Sequence, residues 1–89
     1  MDIIKSATAG TMESSDAYVE IEPGNGKNEI SVESVVWMQF GEKIRTAVEE
    51  VLNELEVENA KVRVVDRGAL ECVIRARVET AVLRGKGEK

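Results

Sequence analysis

Residues 29–66, EISVESVVWMQFGEKIRTAVEEVLNELEVENAKVRVVD, decide the fold. In the first part, roughly Glu29 to Val35, Ile30 and Val32 share one face of a strand. In the middle, roughly Trp37 to Glu56, Phe40, Ile44, Ala47, Val48, Val51, Leu52 and Leu55 recur at helical spacing and form one apolar stripe. Glu49, Glu50, Asn53 and Glu54 fall outside it. In the last part, Ala60, Val62 and Val64 alternate with Lys61 and Arg63, which is the period of a half-buried strand. Strand, amphipathic helix and strand in succession predict a β–α–β unit whose two strands run parallel.

Upstream, Ala17, Val19 and Ile21 alternate with Tyr18, Glu20 and Glu22 and predict another strand. Pro23-Gly24-Asn25-Gly26-Lys27-Asn28 follows with strong turn residues, so this strand and the next read as a hairpin. Downstream, Asp66 is placed to cap a last helix over roughly Arg67 to Leu83. Leu70, Val73, Ile74, Val78, Ala81 and Val82 would then face the core.

Every element is amphipathic, and each apolar face needs a partner. The expected fold is α+β: a two-layer sandwich, ββαβα, with a three-stranded sheet packed by two helices after a flexible N-terminal arm. The strand at 17–22 is expected between the other two. Residues 1–16 read as the arm, 17–84 as the folded domain, and 85–89 as a frayed C-terminus.

With 89 residues the chain makes one small domain with a modest core. The only aromatics are Tyr18, Trp37 and Phe40, so the core rests on Val, Ile, Leu and Ala. The net charge is −5 and unevenly placed. Residues 1–60 hold four basic and thirteen acidic side chains, whereas residues 61–89 hold eight basic and four acidic ones. Such asymmetry suggests distinct electrostatic ends that could meet different partners. An acidic total and few aromatics argue against nucleic acid. No basic, apolar leader opens the chain, and no apolar run approaches bilayer length, so a cytoplasmic location without membrane contact is expected.

The catalytic inventory is poor. There is no histidine, which removes the commonest general base and neutral metal ligand. Cys72 is the single cysteine; amid a predicted helix it reads as a small buried hydrophobe. Glu49-Glu50 and Glu54-Glu56 read as a solvated helix face, and Gly24-Asn25-Gly26-Lys27 as a hairpin turn without full phosphate-loop spacing. What remains is the hydroxyl pair Ser14-Ser15 between Glu13 and Asp16. On composition alone this is an ordinary polar terminus.

Three segments carry a resemblance to a known family. Ala9-Gly10-Thr11-Met12-Glu13-Ser14 resembles the N-terminal motif of the citrate lyase acyl carrier (gamma) subunits. Gln39-Phe40-Gly41 with Ile44-Arg45 is similar to their first helix. Asp66-Arg67-Gly68-Ala69-Leu70-Glu71-Cys72, Arg75-Ala76-Arg77 and Glu79 are similar to their last. The resemblance implies a non-catalytic carrier with Ser14 as the attachment residue. Through a phosphodiester it would carry 2'-(5''-phosphoribosyl)-3'-dephospho-coenzyme A, which holds acetyl and citryl thioesters while citrate is cleaved to oxaloacetate and acetate. It also implies the alpha (transferase) and beta (lyase) subunits and a prosthetic-group transferase as partners. Ser15 stands where the family pattern has a small residue, often glycine. The alternatives are the acyl carrier of malonate decarboxylase and an unmodified adaptor or binding domain.

Overall fold

Alternating apolar residues close one face of two long strands to water. A computed structural model describes residues 1–35 and 37–87, with the backbone alone for 37–39. The elements in chain order are β1 (Ala7–Gly10), β2 (Ala17–Pro23), β3 (Glu29–Ser34), α1 (Trp37–Glu54), β4 (Ala60–Asp66) and α2 (Glu71–Gly85). Ala17, Val19 and Ile21 of β2 and Ala60, Val62 and Val64 of β4 are buried on one face. Glu20, Glu22, Lys61 and Arg63 stay at least partly open on the other. Each buried Val or Ile contributes about 1.5–3 kcal/mol, so this shared face fixes the register of both strands.

The sheet order is β1-β2-β4-β3. The first two neighbouring pairs are antiparallel, and β3 runs parallel to β4 as the β–α–β pattern requires. Helix α2 packs on β1 and β2, α1 packs on β3, and the helices pack on each other. Ile44, Val48, Val51 and Leu52 from α1 meet Ile74, Val78, Ala81 and Val82 from α2 in one core with the strands. The two-layer α+β architecture with two helices is therefore as expected from sequence.

Three expectations need correction. First, the sheet has a fourth strand, β1, within the segment read as a flexible arm. Ala7, Ala9 and Gly10 are small enough to sit on the sheet edge under α2, and Ala9 is buried. Ile3 joins the core, and Ile4 N and Lys5 N donate to Gly85 O at 3.0 and 3.2 Å. That contact also holds Gly85, which is buried rather than frayed. Glu88 and Lys89, expected to fray with it, lie outside the described residues.

Second, β2 and β3 form no hairpin, and the middle position belongs to β4 rather than to β2. The turn residues between them wrap the start of β4 instead. Gly24 N donates to Asn59 O and Gly26 N to Asn59 Oδ1, while Ala60 N donates to Asn28 Oδ1. Asn28 Nδ2 donates to Val57 O at 2.8 Å. The loop spends its polar groups on bridging over β4, whose Val62, Val64 and Val65 make it the most buried strand.

Third, α2 starts at Glu71, not at Arg67. The Asp66 carboxylate does accept from Gly68 N and Ala69 N, as a cap would, but Gly68 takes φ +92° and turns the chain out of the helix. The shift leaves Leu70 72% exposed. Cys72 is exposed as well, because it precedes Ile74 by two residues, about 200° around a helix of 3.6 residues per turn. Phe40, expected on the α1 stripe, is 44% exposed in the first turn.

Helix α1 ends in a left-handed cap. Val57 N donates to Leu52 O and Glu56 N to Asn53 O, and Glu56 has φ +58°. This is the paired-bond termination that favours glycine, with buried Val57 and Leu52 supplying its apolar contact. A non-glycine residue there is strained. Glu56→Gly should therefore stabilise the fold by about 0.5–1 kcal/mol, read as a higher urea midpoint with an unchanged slope.

Candidate functional site

The site residue singled out by sequence, Ser14, stands in the six-residue loop that joins β1 to β2. Backbone sterics set the start of this loop. Gly10 has φ +88°, and a Cβ there would lie 1.8 Å from Ala17 O, so only glycine fits. Thr11 Oγ1 then donates to Asp16 Oδ2 at 2.7 Å and accepts from Glu13 N at 3.2 Å. Asp16 N donates to Glu13 O at 3.2 Å, closing a four-residue turn over residues 13–16. Ser15, its third residue, has φ +68° while Ser14 does not share the positive φ. Among common turns this is the pattern of type II, whose third position favours glycine. Glycine would take this position without strain, and Ser15 takes it under strain.

Ser14 occupies the outward corner of that turn. Its side chain is exposed, and its hydroxyl has no hydrogen-bond partner among the described residues. An incoming enzyme can reach this hydroxyl without moving anything else. Ser15 is also exposed, but its backbone N–H donates to Arg67 O at 2.8 Å.

Two acids brace the loop. Asp16 Oδ1 accepts from its neighbour Ala17 N at 2.7 Å and from Arg77 Nε at 3.0 Å. The Arg77 hydrogen bond, then those from Thr11 and Ala17, hold the Asp16 carboxyl well below the usual carboxylate range. Asp66, 1% exposed, accepts from Ser34 Oγ at 2.8 Å as well as from Gly68 N and Ala69 N. The next residue, Arg67, donates its N–H to Asp16 O at 2.9 Å. The ladder that pairs Ala17 with Asp66 thus continues one step into the Ser14 turn.

These bonds assemble the site from distant segments. Residues 10–16, the Asp66-Arg67-Gly68 run and Arg77 meet at one end of the molecule. An apolar groove beside them is lined by Phe40, Ile44, Leu70 and Ile74. The side chain of Gln39, part of the first-helix segment, lies outside the described residues. Sequence reading missed the bracing roles of Asp16, Asp66 and Arg77. The one available signal was position: an acid immediately before the first long strand and another at the end of the last.

At the basic end several arginines are already bonded within the chain. Arg75 is bonded to Glu50 and Glu71, Arg77 to Asp16, and Arg84 to Thr8 O. The charge asymmetry along the chain becomes internal complementarity once the chain folds. Among the described residues no cluster of His, Cys, Asp or Glu could hold a metal ion. Among the described residues no helix is long and apolar enough to cross a membrane.

Known proteins share this sequence and this fold. Residues 4–85 match the acyl carrier family described as malonate decarboxylase delta subunit (MdcD). The chain is 49% identical over 89 residues to the citrate lyase acyl carrier protein of Enterobacter sp. (strain 638), covering 100% of this chain and 92% of that one. It is 47% identical over 89 residues to that of Latilactobacillus sakei subsp. sakei, covering 100% and 88%. Against that of Cronobacter sakazakii it is 52% identical over 84 residues, covering 94% and 87%. The fold is also that of a chain in the crystal structure of a Pseudomonas malonate decarboxylase hetero-tetramer in complex with malonate. There the TM-score is 0.78 at 21% identity, over 94% of this chain and 87% of that one.

Two outcomes test the geometry of the turn. Ser15→Gly should raise the urea midpoint, worth about 0.5–1 kcal/mol, by removing a side chain from a left-handed position. Arg77→Gln should lower the melting temperature at pH 7. Because the Asp16 pKa is depressed on folding, its contribution is present above the ordinary value of about 3.9 and fades as pH falls below it. The deficit of Arg77→Gln should therefore shrink as melting curves are taken from pH 5 toward pH 2. A deficit constant across that range would mean that Arg77 acts by packing alone.

Proposed function

Because this chain belongs to the acyl carrier family that these relatives represent, we propose that it is the acyl carrier subunit of a citrate lyase, with its prosthetic group joined to Ser14. The observation that carries this reading is identity of 47–52% to citrate lyase carriers over nearly the whole chain. The malonate decarboxylase likeness rests on fold at 21% identity, which makes that carrier the second reading. As an acyl carrier the chain bears a covalently attached group and is not itself the catalyst. The finer proposal is 2'-(5''-phosphoribosyl)-3'-dephospho-coenzyme A, attached through a phosphodiester.

The residues fit such a group. Ser14 offers an exposed, unpartnered hydroxyl at the corner of a braced turn. Among the described residues no buried side-chain polar atom lacks a partner, and the Ser14 hydroxyl takes part in no internal bond. The group supplies a terminal thiol, on which an acyl chain is held as a thioester and thereby activated for transfer and cleavage. The chain's own residues present that group. Thr11, Asp16 and Arg77 hold the turn, and Gly10 and Ser15 set its direction.

The chain offers little acid–base chemistry. It has no histidine, and Asp16 and Asp66 are committed to hydrogen bonds. Proton transfers therefore belong to partner subunits, which we assign as the alpha (transferase) and beta (lyase) subunits, with a separate transferase loading Ser14. Since the loop is braced, reach between active sites comes from the group and not from a swinging arm. Tethering makes delivery effectively intramolecular, at a local concentration of order millimolar for a short linker.

Intact mass tests the assignment. Co-expressed with its attachment enzymes, the protein should gain one coenzyme-derived group, and fragmentation should place it on Ser14. Ser14→Ala should show no gain, whereas Ser15→Ala should still be loaded. Loading of Ser14→Ala, or an unmodified wild-type chain beside an active transferase, would overturn the assignment.

A further inference from the structure

Most cations at the Ser14 end are already engaged. Arg77 is bonded to Asp16 and Arg75 to Glu50 and Glu71. Arg67 is the exception. Its side chain is exposed and has no hydrogen-bond or ion-pair partner among the described residues. Its backbone, in contrast, is fixed on both sides: Arg67 N donates to Asp16 O and Arg67 O accepts from Ser15 N. The main chain thus holds a free guanidinium beside the turn that carries the exposed hydroxyl.

The spacing suits a contact. Ala17 pairs with Asp66, and the Arg67–Asp16 bond continues that ladder by one step. Ser15 N and Asp16 O are both bonded to the Arg67 backbone, a bulge at the end of the ladder, so Ser14 directly precedes a residue held against Arg67, close enough for a long side chain to reach. Local charge points the same way. Glu13 is exposed next to Ser14, and Asp16 and Glu71 are each occupied by an arginine. A phosphodiester on Ser14 would add a negative charge beside Glu13. Among the described residues Arg67 is the arginine of this loop region left to balance it. Guanidinium is the side chain best matched to phosphate, because its planar fork donates two parallel hydrogen bonds.

We propose that Arg67 binds the phosphate linking the prosthetic group to Ser14 and so fixes the direction in which the group leaves the surface. The proposal rests on Ser14 being the attachment residue and adds to it a phosphodiester-binding subsite. Arg67 is a positioning residue: it touches the linkage and not the acyl group.

The test compares loaded and unloaded forms of the wild type and of Arg67→Gln, with loading verified by intact mass. In the wild type, loading should shift the Arg67 Nε–H resonance. It should also slow amide exchange at residues 13–16 and 67 by about tenfold, the size of one charge-assisted hydrogen bond. In Arg67→Gln, which removes an exposed side chain and keeps the backbone bonds, loading should leave those rates unchanged. A complete mass gain on Ser14 with an unmoved Arg67 resonance, or equal slowing in Arg67→Gln, would overturn the clamp alone. No mass gain on Ser14 of the wild type would overturn the attachment reading and the clamp with it.

Discussion

The buried carboxylate of Asp66 ties β4 to β3 and to the loop that leads into α2. It ends the central strand β4, and it is 1% exposed. It accepts hydrogen bonds from Ser34 of the parallel neighbour β3 and from Gly68 and Ala69 in the loop that leads to α2. Its backbone pairs with Ala17 at the start of β2, and its carbonyl accepts from Val35 N. Left without these donors in its buried position, the carboxylate would cost about 1–3 kcal/mol or more in desolvation. A buried carboxylate with three donors is therefore a constraint on three chain segments at once. It also fixes the position of Arg67, through whose backbone the Ser14 turn is attached.

From that anchor the site is built by backbone rather than by side-chain chemistry. The sheet supplies a rigid edge in β1 and β2, and Gly10 permits an approach to Ala17 O that no other residue could make. The turn then points Ser14 outward by placing Ser15 in the left-handed region. Asp16 locks the far side with Thr11, Ala17 and Arg77. An active site would gather titratable groups around a cleft; here, among the described residues, Asp16, Asp66 and Arg77 are taken up in bonds, while the Ser14 hydroxyl and the Arg67 guanidinium are unengaged. That division suits a chain whose part in the chemistry is to present a group.

Much of the architecture was legible because it depends on period. The stripes at 17–22, 37–55 and 60–65 give β2, α1 and β4, and the β–α–β order gives the parallel pairing of β3 with β4. What failed depends on space or on partners. Ala7-Thr8-Ala9-Gly10 shows no strand pattern, since its residues are in the sheet for their small size under α2. The Pro23–Asn28 turn looked like a hairpin because local sequence does not show that another strand will pass beneath it. Leu70 and Cys72 were misplaced by one error, the assumption that the helix begins where Asp66 could cap it. The site followed the same division. Ser14 came from resemblance, whereas the bracing of its turn by Arg77, 61 residues from Asp16 in the chain, is visible only after folding.

The braced loop also changes how a carrier of this kind can work. In a chain with a disordered arm, the volume a tethered group explores includes the arm's own wandering. Closure entropy and effective concentration then both worsen as residues are added to the tether. Here residues 4 and 5 are bonded to Gly85, residues 7–10 are in the sheet, and residues 11–16 are closed by their own hydrogen bonds. On the proposed attachment at Ser14, the flexible length begins at the Ser14 oxygen. A shorter tether searches a smaller volume, so each visit to an active site is made at higher local concentration. The cost is range, which the docking of the whole domain must then supply. Selection on such a chain would thus preserve the stiffness of the pedestal as much as the serine upon it, and the glycine, threonine and acid that flank Ser14 belong to one mechanical requirement.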